Sequence, residues 1–193
     1  MNNRKLILLF FILVALIQLY VPAKMILGRE DILLTGKAFK FKTMPVDPND
    51  PFRGKYITLR FKENLIQVKN ENDWVGNEPI YVILKTDKDG YAGIQAVSKV
   101  KPADNLYFVK ARVEYVTGDS SKNLTVSYPF DRFYMEESKA PEAEKIYRKS
   151  LADTNQVTYG LVNIKDGEAV LKDVLINGIS INEIGGSKDK SKR

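Results

Sequence analysis

Hydrophobic and polar positions follow different rhythms in different parts of this chain. Residues 6–21, LILLFFILVALIQLYV, carry a single polar side chain, Gln18, behind a short basic start. At about 16 residues to Val21, or about 18 to Ala23, the run is near the lower limit for a helix that crosses a bilayer. A continuing helix is predicted over 24–36, where Met25, Ile26, Leu27, Leu33 and Leu34 can share one face and Gly36 can close it. From Lys37 the period changes to two, and Ala38-Phe39-Lys40-Phe41-Lys42 predicts a first strand.

Alternating or apolar runs at 55–62, 80–85, 91–100 and 106–116 predict further strands, and 124–135 is rich in aromatics interrupted by Pro129. Asp87-Lys88-Asp89-Gly90 joins two of these runs as a hairpin turn. As a calcium loop it is poor, because the remaining ligands and the closing Glu of an EF-hand are missing. Three final strands, 157–164, 168–176 and 179–184, form a meander closed by Asp166-Gly167 and Asn177-Gly178. Asn-Gly between apolar runs is the strongest short hairpin signal, so Gly178 is expected at positive φ. The one soluble helix spans 140–151, with Pro141 in its first turn, Glu142 and Glu144 early, and Lys145, Arg148 and Lys149 late, in agreement with the helix dipole.

These patterns predict a β-rich α+β protein: an N-terminal transmembrane helix, then an antiparallel β domain with one covering helix. The chain divides into a cytoplasmic start (1–5), an anchor (6–23), a juxtamembrane helix (24–36), an extracytoplasmic domain (37–184) and a flexible basic tail (185–193). A cleaved signal peptide ending at Ala23 is the rival to the anchor. The apolar run is longer than the 7–15 residues usual in such peptides, which favours the anchor. Orientation rests on Arg4, Lys5 and the terminal amine on one flank against Lys24, Arg29 and Lys37 on the other, and is read with the N-terminus inside and the domain outside the cytoplasm.

Charge alters this picture little. The net charge of +6 sits largely at the ends: Arg4 and Lys5 give +2 and residues 188–193 give +3, leaving the body near neutral. No clustered basic face for nucleic acid is expected. The chain has no cysteine and no histidine, which removes thiol nucleophiles, disulfides, imidazole bases and the usual Cys/His zinc sites. No cofactor and no metal are expected.

The densest run of conformationally demanding residues is 45–61, PVDPNDPFRGKYITLRF. Pro48 and Pro51 fix φ and push Asp47 and Asp50 out of the α region, while Gly54 tolerates positive φ, so a rigid structural turn leads into a strand. Asp47, Asp50 and Arg53 lie within one turn and can converge on a cation, an amine or a partner's arginine. Their bland role is to tie the loop to its own backbone. A second group, Arg132, Tyr134 and Glu136 in DRFYMEE, alternates and is expected on one strand face.

The run from Pro45 resembles the signature of the GDYXXLXY proteins through Pro45, Asp47, Pro48, Asp50, Phe52, Arg53, Gly54, Tyr56 and Leu59. Asn49, Lys55 and Phe61 depart from it, Lys55 replacing the acidic residue of the family's name. The resemblance extends to 128–137 and 159–178. It implies a bacterial membrane-anchored protein and brings no established chemistry. Proteins of this kind are often encoded beside, or fused to, a polytopic membrane protein. The function expected is therefore interaction: an accessory domain held on the lipid bilayer that docks on a membrane-protein partner, with Asp47, Asp50, Arg53, Tyr56, Arg132, Tyr134 and Glu136 as binding candidates. The alternative is a hydrolase using paired carboxylates or a Ser-Lys dyad. Against the dyad, the first serine is Ser98, far from the anchor where signal peptidases place theirs.

Overall fold

The computed structural model of the chain describes residues 3–45, 56–117 and 122–187. One helix, α1 (Asn3–Thr35), takes in both the predicted anchor and the predicted juxtamembrane segment without a break at Pro22. A proline there removes one backbone donor, which membrane helices tolerate. The helix stops at Gly36, whose N–H reaches the Ile32 carbonyl at 2.9 Å. A Cβ at Gly36 would lie 2.4 Å from that carbonyl and 3.2 Å from the Ile164 backbone, so close approach demands glycine here.

The domain then runs β1 (Lys37–Met44), β2 (Tyr56–Thr58), β3 (Arg60–Phe61), β4 (Leu65–Gln67), a 3-10 turn (Glu71–Asp73), β5 (Pro79–Thr86), β6 (Ala92–Ser98), β7 (Phe108–Val116), β8 (Asn123–Ser127), β9 (Arg132–Tyr134), α2 (Ala140–Ala152), β10 (Thr158–Lys165), β11 (Glu168–Ile176), β12 (Ile179–Ser180) and α3 (Ile181–Ser187). One five-stranded sheet has the order β12-β11-β10-β1-β3 and the other β4-β8-β7-β5-β6, while β2 and β9 form a separate ribbon. The strand pairs are antiparallel. This is the expected β-rich α+β architecture behind a long apolar helix.

Alternation builds the core. Phe39, Phe41 and Thr43 point inward from β1, and Phe41 meets the rings of Phe61, Tyr128 and Phe130 at centroid distances of 5.6, 5.5 and 5.1 Å. Tyr128 keeps its hydroxyl satisfied by donating to the Glu63 carbonyl at 2.8 Å, and burial pushes its phenol up. Helix α2 buries Ala140, Ala143, Tyr147 and Ser150, the i, i+3, i+4 stripe of a covering helix.

Three details differ from the sequence pattern. The strand expected over 55–62 divides at Leu59, whose N–H turns to the Asp131 carbonyl at 2.7 Å, so β2 pairs with β9 while β3 pairs with β1. Side-chain alternation survives the break, since Ile57, Leu59 and Phe61 all remain buried. The strand expected over 179–184 ends at Ser180 and becomes α3, which also takes in the start of the supposed tail at 185–187. Ser180-Ile181-Asn182-Glu183 is a capping-box pattern, and the Ser180 hydroxyl accepts the Asn182 N–H at 3.3 Å. Lastly, β9 stops at Tyr134, so Glu136 does not share its face.

Both terminal turns follow the sequence. Asp166 and Gly167 lie at φ 52° and 83°, and Asn177 and Gly178 at 50° and 87°, the paired positive values of type I′ hairpins. Gly178→Val is expected to destabilise the domain by more than roughly 1 kcal/mol, read as a shift in denaturant midpoint, because a β-branched residue is strained there. An unchanged midpoint would contradict the turn assignment.

Candidate functional site

Two stretches far apart in sequence meet on the β2–β9 ribbon. Tyr56 stands opposite Tyr134, Ile57 opposite Phe133, and Thr58 opposite Arg132. With a period of two, Ile57 and Phe133 enter the core, and Tyr56, Thr58, Arg132 and Tyr134 are left together on the other face. The Tyr56 and Tyr134 rings pack at 5.5 Å and 54°, and the Arg132 guanidinium carbon lies 5.1 Å from the centroid of the Tyr56 ring. This is the diagonal reach that an antiparallel pair gives to long side chains. A hydrogen bond to the Tyr134 side chain, reinforced by the electrostatic influence of Tyr56 and Asp131, raises the Arg132 pKa. Tyr134 remains 64% exposed.

Position completes the description. β1 leaves the α1 junction at Lys37, which pairs with Ile164, and reaches Met44, which pairs with Arg60, about 23 Å away at 3.3 Å per residue. Pro45 follows Met44 directly, and Tyr56 precedes Arg60 by four residues. Asp47, Pro48, Asp50, Pro51, Arg53 and Gly54 lie outside the described residues. Glu136 instead belongs to the turn before α2: its carboxylate holds Lys139 at 2.9 Å and its carbonyl accepts the N–H groups of Lys139 and Ala140. On the same strand as Phe61, Arg60 is exposed and 3.9 Å from Glu114.

Several hydroxyls of the described residues make structural bonds. Ser98 bonds to the Val100 carbonyl, Ser150 to the Tyr147 carbonyl and Thr158, and Ser180 to Asp173. No serine–lysine hydrogen bond occurs among them, and no group of three or more acidic residues that could hold a metal is found among the described residues. Asp87 is a turn residue, accepting the N–H groups of Asp89 and Tyr91.

The sequence pattern of GDYXXLXY protein matches residues 18–174, from within α1 to the body of β11. The chain belongs to the GDYXXLXY family. Comparisons with curated proteins and with solved structures each returned no match. The GDYXXLXY match takes in both strands of the ribbon, so the tyrosine of its signature, Tyr56, is the residue whose ring receives Arg132 and packs on Tyr134. Sequence patterning put Arg132 and Tyr134 on one strand face and marked Tyr56 separately, and nothing in it placed Tyr56 beside them.

A second feature of this GDYXXLXY chain had no local signal. The Lys165 amine reaches Asp31 Oδ2 at 2.7 Å and Thr35 Oγ1 at 2.9 Å, and the Asn163 amide donates to the Leu33 carbonyl at 2.8 Å. β10 thereby clamps the last turns of α1. The hydrogen bond from Lys165 holds the Asp31 carboxyl below its ordinary pKa. The ion pair is accordingly complete at neutral pH and is lost on acidification through that lowered value.

Proposed function

We propose that this protein is a membrane-tethered accessory module. Its N-terminus lies in the cytoplasm, α1 crosses the bilayer once, and the β domain outside docks on a polytopic membrane protein through Tyr56, Arg132 and Tyr134. The observation that carries this reading is the solvent-facing Tyr–Arg–Tyr cluster on a ribbon whose other face is core. Tyrosine and arginine are the residues most enriched at the energetic centres of protein interfaces, and strand packing has already ordered this set. Because the cluster lies at the end of β1 remote from α1, the partner must present an extramembrane loop or domain at that height. Catalysis receives no comparable support: the Ser180 hydroxyl that reaches Asp173 ties β12 to β11, and the Thr35 hydroxyl beside Lys165 belongs to the contact between α1 and β10.

Site-specific photocrosslinking in intact cells tests the proposal. A crosslinker in place of Tyr134 is expected to trap one integral membrane protein, and one at exposed Lys62 is not. Arg132→Ala should reduce trapping from position 134 about tenfold or more, as expected for an anchor worth at least 1.4 kcal/mol, with the unfolding midpoint nearly unchanged. Equal trapping from both positions would refute the assignment of the surface. A C-terminal reporter active only in the cytoplasm would refute the orientation.

A further inference from the structure

The clamp between β10 and α1 fixes how far the domain stands from the bilayer. A hydrocarbon core of about 30 Å takes about 20 helical residues, so a span that begins at Leu6 leaves it near Met25. Met25, Ile26 and Leu27, beyond Pro22, carry the exposed apolar surface of α1 up to that level. The headgroup layer, about 5–7 Å on each side, then covers the next turn of α1. At that level a groove of about 380 Å³ lies between α1 and the β10–β11 turn, with Lys24, Met25 and Arg29 on the helix and Lys165, Asp166 and Glu168 on the hairpin.

Its charges are unequal in availability. Asp31 is held by Lys165, and Glu168 is held by Lys110 at 2.7 Å. Lys24 and Arg29 have no ion-pair partner among the described residues, and both are exposed. Asp166, at the tip of the turn, is the one acidic group of the groove outside those two pairs. We propose that the β10–β11 turn seats in the lipid headgroup layer and that the groove takes a phospholipid headgroup, its phosphate between Lys24 and Arg29. An arginine fork and a lysine point charge are the chemistry that binds a phosphodiester, and the adjoining membrane supplies it at high local concentration. The domain is thus set directly on the bilayer surface, with the Tyr–Arg–Tyr cluster at its far end.

This inference rests on α1 being a membrane anchor, and the experiment separates the two. The cysteine-free chain allows Glu168→Cys and Lys62→Cys to be labelled singly with a fluorophore in the full-length protein, in phosphatidylcholine nanodiscs containing a lipid with a nitroxide on its headgroup. Quenching at position 168 is expected to exceed that at position 62 about threefold or more. In parallel, lipid phosphorus is measured on protein purified in detergent. The wild type and the Lys172→Gln control should retain about one phospholipid per chain, and Lys24→Gln with Arg29→Gln several-fold less. Equal quenching at the two positions, or equal phosphorus on the double variant and the wild type, overturns the proposal. Release of the protein from membranes by carbonate would instead refute the anchor itself.

Discussion

Phe41→Ala is expected to cost about 3–5 kcal/mol of unfolding free energy, the range for deleting a fully buried aromatic ring. Phe41 is 0% exposed and lies against Phe61, Tyr128 and Phe130, rings that come from β3 and the loop after β8. Those partners also contact one another: Phe61 lies 5.2 Å from Phe130, and Tyr128 stacks on Phe130 at 5.0 Å. They hold each other in place, so they cannot collapse into the space left behind, and poor collapse puts the cost at the upper end. For a domain of this size the loss corresponds to a fall of about 6–20 °C in thermal midpoint. Near-ultraviolet circular dichroism of the full chain in detergent would follow it, and a fall of under about 1 °C would show that the four rings are not one core.

The second large effect concerns two glycines that sequence alone treats alike. Gly167 and Gly178 both close type I′ turns, at φ 83° and 87°, so the backbone cost of alanine, about 1–2 kcal/mol, is shared. Their surroundings are not. A Cβ at Gly178 meets nothing within 4 Å, whereas one at Gly167 falls 2.6 Å from Cε2 of Phe108. Phe108 is buried and its ring is backed by Tyr81 at 5.6 Å, so it cannot swing clear. Gly167 also joins the two sheets, accepting the Lys110 N–H at 2.8 Å beside its bridge to Val109. Gly167→Ala should therefore cost a further 1–3 kcal/mol, roughly, beyond Gly178→Ala. Chemical denaturation of the two variants side by side measures the difference, and equal midpoints would place Phe108 elsewhere.

Much of this fold was legible because its determinants are local. Residues 6–21 have no way to satisfy a helix's apolar surface except in lipid or a large core. Period-two runs can bury one face only as strands, and Asp166-Gly167 and Asn177-Gly178 admit few backbone conformations besides the tight turn. Where local signals competed, the reading failed. Ile179 to Ile184 alternates enough to suggest a strand, yet the Ser180 cap and the demand to bury Ile181, 0% exposed, turn it into a helix. Glu136 continues the alternation of Arg132 and Tyr134 on paper, but its carbonyl is claimed by the first turn of α2, and the strand ends before it.

The sequence by itself determined the long apolar helix, the strand-rich class, the two terminal hairpins and the family. Each follows from spacing within about 20 residues, or from a signature read along the chain. Only the tertiary structure decided what meets what. Strand pairing is set by which apolar faces can be covered together, and that depends on the whole core. For this reason Tyr56 and Tyr134, 78 positions apart in the chain, became one cluster, and Lys165 found Asp31 at the foot of the domain. Residue type limited what each of these side chains could do, and the burial of Ile57 and Phe133 beneath the ribbon decided that Tyr56, Arg132 and Tyr134 would face solvent together.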